Sequence, residues 1–169
     1  MDKAQYLLDR YNLYLQQPYP EGKPSFENQC VEHKIFSSIS ALYAAVHWDG
    51  FALYLGNEAE QVSFIVEALN SVGAVRTAEI VSKAIGIVFP NGLPSDSDQL
   101  KEEAYAVAFI ENEELNSLDM EFYQYPENMT EILYDFLVDH PDEFGPTPIC
   151  EAGGGSALGW SNVFYNDET

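Results

Sequence analysis

The sequence predicts an all-α protein: a single globular helical domain over residues 1–144 and an extended Gly/Pro-rich tail over residues 145–169. Three observations predict it. Apolar residues recur at helical spacing in six segments. No run of alternating strand residues precedes residue 144. The chain of 169 residues is 46% hydrophobic and 14% aromatic, enough to bury a core in one domain despite a net charge of −21.

The first helix is expected over 3–17, with Leu7, Leu8, Tyr11 and Leu15 on one face. "QPYPEGKPS" then breaks it with three prolines and a glycine. A long helix is expected over 26–48, where Val31, Ile35, Ile39, Leu42 and Val46 keep the period. "WDGFALYLGN" reads as a turn into a further short helix. Residues 59–72 carry Val62, Ile65, Val66, Leu69 and Val72, with Gly73 placed as a C-cap.

The segment 75–88 is amphipathic and is stopped by "PNGLPSDSD". Residues 98–124 read as a helix with a break near Asn112 or Asn116. The last helix is expected over 127–139, after Pro126, with Pro141 ending it. In the tail, Trp160, Phe164 and Tyr165 are expected to dock on the helical body. "GGGSALG" lacks the Lys of a phosphate-binding loop and follows no strand.

Charge is unevenly divided. Residues 1–101 hold all seven basic residues and twelve acids, 7 − 12 = −5, while residues 102–169 hold sixteen acids and no Lys or Arg, −16. Such a chain does not bind nucleic acid or an anionic membrane directly, since both require Lys and Arg. A basic partner, a cation or a high-salt habitat fits the charge instead. The opening "MDKAQYLLDRYNLYL" lacks the pattern of a signal peptide, and no stretch approaches the roughly 18 apolar residues of a membrane span. A cytoplasmic protein with Cys30 and Cys150 reduced is the expectation.

Catalytic patterns are missing from the sequence. His33, His47 and His140 are scattered, and Ser37, Ser38 and Ser40 lie within a helical pattern and not on a nucleophile elbow. "DHPDEF" gathers Asp139, His140, Asp142 and Glu143, yet matches no cation-binding spacing; "DSDQLKEE" lacks the third acid and turn glycine of a calcium loop. Neither cysteine falls in a metal or redox motif. No catalytic residue, cofactor or metal site is expected.

What stands out is "PENMTEILYDFLVDHPDEF", which places Glu127, Glu131, Asp135 and Asp139 at steps of four with no Lys or Arg among them. Like charges at that spacing cost roughly 0.2–0.5 kcal/mol per pair, so local stability does not account for the stripe. On a helix the acids would spiral slowly at about 6 Å axial spacing, opposite a core face of Met129, Ile132, Leu133, Phe136 and Leu137. Phosphates along a DNA strand are about 7 Å apart through space, so a row of carboxylates can stand in for a row of phosphates. Glu111, Glu113, Glu114, Asp119 and Glu121 add acids just upstream, and Tyr134 and Val138 are placed beside the spiral as apolar contacts.

Three stretches carry a family resemblance: "HWDGFALYLGN", "EALNSVGAVRTAEIVSKAIGIVFPNGLPSD" and "LNSLDMEFYQYPENMTEILYDFLVDHPDEF". Over roughly residues 35–144 the chain resembles the small acidic bacterial DNA-mimic proteins. The resemblance implies an all-helical, dimeric protein that occupies the DNA-binding surface of a helix-turn-helix transcription regulator and so acts as an antirepressor. Where that family usually reads Asn-Gly-Gly-Phe, this chain has Trp48-Asp49-Gly50-Phe51. Gly50 is expected to supply a turn and Phe51 a core anchor.

The combined expectation is a non-enzymatic DNA mimic acting on a basic DNA-binding protein, a regulator or a nuclease. Glu111, Glu114, Asp119, Glu121, Glu127, Glu131, Asp135 and Asp139 are its candidate contacts. Two alternatives share the charge: an immunity protein against a basic nuclease toxin, and an acidic helical protein adapted to high salt without mimicry.

Overall fold

The computed structural model describes residues 2–16 and 26–149. The breaker at 17–25, Cys150 and the aromatic tail residues Trp160, Phe164 and Tyr165 lie outside the described residues. Within them the chain is all-α, with eight helices and no strand. These are α1 (Lys3–Gln16), α2 (Val31–Asn57), α3 (Ile65–Ser71), α4 (Val75–Val88), α5 (Ser97–Ala108), α6 (Glu113–Phe122), α7 (Met129–Asp139) and α8 (Pro141–Phe144).

Helix α2 is the centre of the fold, packed by α1, α3, α4, α5 and α6. Its residues 35–43 are buried without a break, as expected of a helix surrounded on all sides. That run includes Ser37 and Ser38, whose hydroxyls donate back to the Lys34 carbonyl at 3.3 and 2.6 Å. Ser40 is buried beside them. The core continues through Phe51, Tyr54 and Leu55 to Ile65 and Leu69 on α3, Val81 and Ala84 on α4, Phe122 on α6 and Leu133 on α7. At the crossing with α5 the Tyr105 ring lies against Gly56, where a Cβ would stand 2.7 Å from it. No helix among the described residues is long and apolar enough to cross a membrane.

Several boundaries differ from the sequence expectation, each for a local reason. The helix expected from Phe26 begins at Val31, since Cys30 is extended (φ −65°, ψ 158°) and residues 26–28 form only a 3-10 turn. The turn expected in "WDGFALYLGN" is present: Gly50 (φ 74°, ψ 174°) interrupts the helical backbone, and a further helical segment follows to Asn57. That conformation is open almost only to glycine. Beyond it Phe51 is fully buried, edge-on to Phe122 at 5.5 Å.

The expected helix 59–72 divides into a 3-10 turn at 59–61 and α3. Gly73 follows α3 as its C-cap glycine, with Gly73 N–H donating to the Asn70 carbonyl and Ala74 N–H to that of Leu69, the paired bonds of a Schellman ending. The expected helix 98–124 divides into α5 and α6 at Asn112, whose side chain accepts from Leu115 N–H at 3.0 Å. Helix α7 starts at Met129 instead of Glu127, because Asn128 caps it. Helix α7 ends at Asp139 as expected, with His140 before Pro141 out of helical geometry (φ −122°, ψ 57°), and Pro141 then opens the short α8 at a position where its missing N–H is no loss.

Candidate functional site

The eight candidate acids fall into two groups. Glu111, Glu114, Glu121, Asp135 and Asp139 are exposed, whereas Asp119, Glu127 and Glu131 are partly buried. No cation pairs with Glu111, Glu114, Glu121 or Asp139 among the described residues. On α6, Glu114 and Glu121 are seven residues apart and so share a face, about 10 Å apart along the axis. On α7, Asp135 and Asp139 lie one step of about 6 Å apart on the surface opposite Met129, Leu133 and Leu137, which are buried.

The partly buried acids have internal partners. Asp119 accepts from Phe51 N–H at 3.0 Å, capping α2 where it restarts after the Gly50 kink. Burial pushes the Asp119 carboxyl above its usual range, and the bond from Phe51 opposes that rise. Glu127 is not on α7 at all. It precedes the helix and turns its carboxylate onto the first turn of α4, accepting from Arg76 N–H at 2.7 Å, Thr77 N–H at 3.1 Å and the Thr77 hydroxyl at 2.5 Å. The residue at the cap position of α4 is Ala74, which has no side-chain acceptor.

Glu131 is paired with Lys3 of α1, which packs along α7. The hydrogen bond to Glu131 raises the Lys3 ammonium above its ordinary range, and Asp135 contributes to the same field. Lys3 also sits 4.4 Å over the Tyr134 ring. The stripe that reads as cation-free in sequence therefore receives one cation from the far end of the chain. Tyr134 is buried, its hydroxyl donating to the Pro148 carbonyl at 2.6 Å, so it is a packing residue and not an exposed contact. Val138 remains 45% exposed.

The histidines stand apart and each has a local partner: His33 the Glu143 carbonyl, His47 the Tyr125 hydroxyl, His140 the Phe136 carbonyl. Sequence reasoning overlooked Phe109 and Ile110, 84% and 68% exposed in the α5–α6 connection immediately before Glu111. A helix drawn through 98–124 hides them, because they are exposed by the break.

The sequence model of the DMP19-like protein family matches residues 31–140. The chain belongs to the DMP19-like family. No curated protein and no solved structure matches it. The family match runs from the start of α2 to the end of α7, so the DMP19-like region contains the Gly50 kink, the Asp119 and Glu127 caps, the Phe109–Ile110 connection and all eight candidate acids.

Proposed function

We propose that this protein is a non-enzymatic DNA mimic whose exposed acids on α6, α7 and the connection before α6 occupy the basic DNA-binding surface of another protein and exclude DNA. The observation that carries this reading is the set Glu111, Glu114, Glu121, Asp135 and Asp139, exposed on a segment with sixteen acids and no Lys or Arg. Solvated helices ordinarily mix both signs and gain pairing energy, whereas here Glu111, Glu114, Glu121 and Asp139 have no cation partner among the described residues and Lys3 is engaged by Glu131. Asp119, Glu127 and Glu131 hold the elements that carry these acids, joining α6 to α2, the α7 leader to α4, and α7 to α1. Phe109 and Ile110, exposed immediately before Glu111, add apolar anchors that charge alone lacks.

An excess of exposed charge of one sign speeds encounter with a basic partner and makes binding strongly dependent on salt. The test is capture of partners from native lysate on the immobilised protein, followed by competition. The expected partner is a basic DNA-binding protein that duplex DNA displaces from the column and that elutes as salt rises. Retardation of DNA by the pure protein, or partners that duplex DNA leaves in place, would overturn the reading.

A further inference from the structure

The N-terminus of α2 meets α8 at three side chains of different chemistry. Cys30 immediately precedes α2, and His33 follows three residues later, on the same side of the helix. Glu143 comes from α8, more than a hundred residues away. One ligand atom from each, the Cys30 sulfur, a His33 ring nitrogen and a Glu143 carboxylate oxygen, all lie within 4.8 Å of one another. We propose that Cys30, His33 and Glu143 form a binding site for a zinc-class divalent cation that clamps α8 to the start of α2.

Distances support a shared ion. Bonds of about 2.3 Å to sulfur and 2.0–2.2 Å to nitrogen or oxygen place tetrahedral ligands roughly 3.5 Å apart. Cys30 Sγ is already 3.5 Å from Glu143 Oε2. The widest of the three separations needs about 1 Å of closing, and Cys30 and Glu143 are exposed side chains free to rotate by that much. His33 is held in place, with its ring 4.9 Å from that of Phe144 and Nε2 3.2 Å from the Glu143 carbonyl. A second bond from the ring to a carbonyl is the usual way a ligating imidazole is oriented. Arg10, the nearby cation, is committed to the Phe144 carbonyl and fixes the end of α8.

The ligand set selects the ion. Thiolate with imidazole and carboxylate suits zinc and its neighbours, whereas magnesium and calcium require oxygen ligands. Partial desolvation raises the Cys30 thiol, and the Glu143 carboxylate adds to the rise while the His33 backbone opposes it. Binding exchanges proton for metal: the S–H proton leaves to solvent as the sulfur–metal bond forms, and the cation cancels the repulsion between thiolate and carboxylate. Three protein ligands leave the fourth position to water.

Cobalt(II) is the probe, because a thiolate ligand gives it a charge-transfer absorption that a carboxylate surface cannot produce. The full chain, stripped with chelator, should develop that band with one-to-one stoichiometry. Zinc should abolish it, and excess magnesium should not. C30S should lose the band while keeping the helical circular dichroism of the parent. H33A and E143Q should each weaken cobalt binding by more than about 10-fold, the floor for losing even an outer-shell partner. C150S should bind as the parent does. The proposal is overturned by the lack of a charge-transfer band, by its survival in C30S, or by multiple weak sites that magnesium displaces and H33A leaves unchanged.

Discussion

Glu127 caps the helix that begins at Val75: its carboxylate takes hydrogen bonds from the backbone N–H and the hydroxyl of Thr77 at 3.1 and 2.5 Å. Charge-assisted bonds of this kind at a helix N-terminus combine capping with a favourable interaction with the helix dipole. An acid that looks like a member of a surface stripe is a structural element of a different helix.

E127A should therefore destabilise the protein by about 2 kcal/mol, lowering the melting temperature by roughly 4–8 °C. E127Q keeps one acceptor and should lose about half as much. Thermal melting followed by circular dichroism checks both. A variant that melts with the parent would remove the capping role.

Asp139 behaves oppositely. It is exposed at the C-terminal end of α7, four residues from Asp135 and against the dipole. D139N should raise stability by a few tenths of a kcal/mol, yet weaken binding to a basic partner and make its salt dependence shallower. Melting and salt-dependent affinity, measured on the same variant, should move in opposite directions.

The anchors predict a different signature. F109A combined with I110A should leave melting nearly unchanged, since both side chains are largely in solvent. Affinity should fall by about 10-fold or more while the slope against log salt stays that of the parent, because no charge is removed. A changed slope with unchanged affinity would exclude Phe109 and Ile110 as anchors.

Asp119 supplies a pH test. Its carboxyl is raised in the folded state by burial, so folding favours the protonated form. The stability it contributes falls as pH rises from about 4, the unfolded value, through the raised folded value. D119N retains the acceptor for Phe51 N–H without the buried charge. It should be more stable than the parent at neutral pH, and that advantage should vanish below about pH 4. D119A leaves the Phe51 N–H unpaired and should lose about 1–3 kcal/mol at either pH.

At Gly50, alanine would meet two obstacles. The backbone conformation is one that side chains avoid, and the new Cβ would stand 3.0 Å from Asp119 Oδ2. G50A should lose about 2–3 kcal/mol by urea denaturation.

Helical period exposed the fold because most helices bury one face, and α2 all of them over residues 35–43, so apolar spacing recorded the packing directly. Boundaries were set by side chains whose role depends on neighbours: Asn112 and Asn128 are cap residues, but only the break after Ala108 and the turn after Tyr125 make them so. For the acids, sequence showed their number and sign but not their partners. Lys3 lies 128 residues from Glu131, and Thr77 lies 50 from Glu127. Neither pairing has any local signature. Phe109 and Ile110 read as helix interior until the chain is seen to turn there, and the Cys30–His33–Glu143 cluster joins a short spacing to a residue 110 positions away from His33.

The cap on α4 also orders the events of synthesis. A chain emerging from its N-terminus releases α4 fifty residues before Glu127 exists to close its first turn. Until then α4 has Ala74 at its start and several amide groups open to water. The helix hairpin of α3 and α4 is thus complete in sequence long before it is complete in bonding, and the cap on its second helix arrives with the leader of α7. A nascent chain halted anywhere before residue 127 would carry an α4 whose first turn is uncapped and frayed.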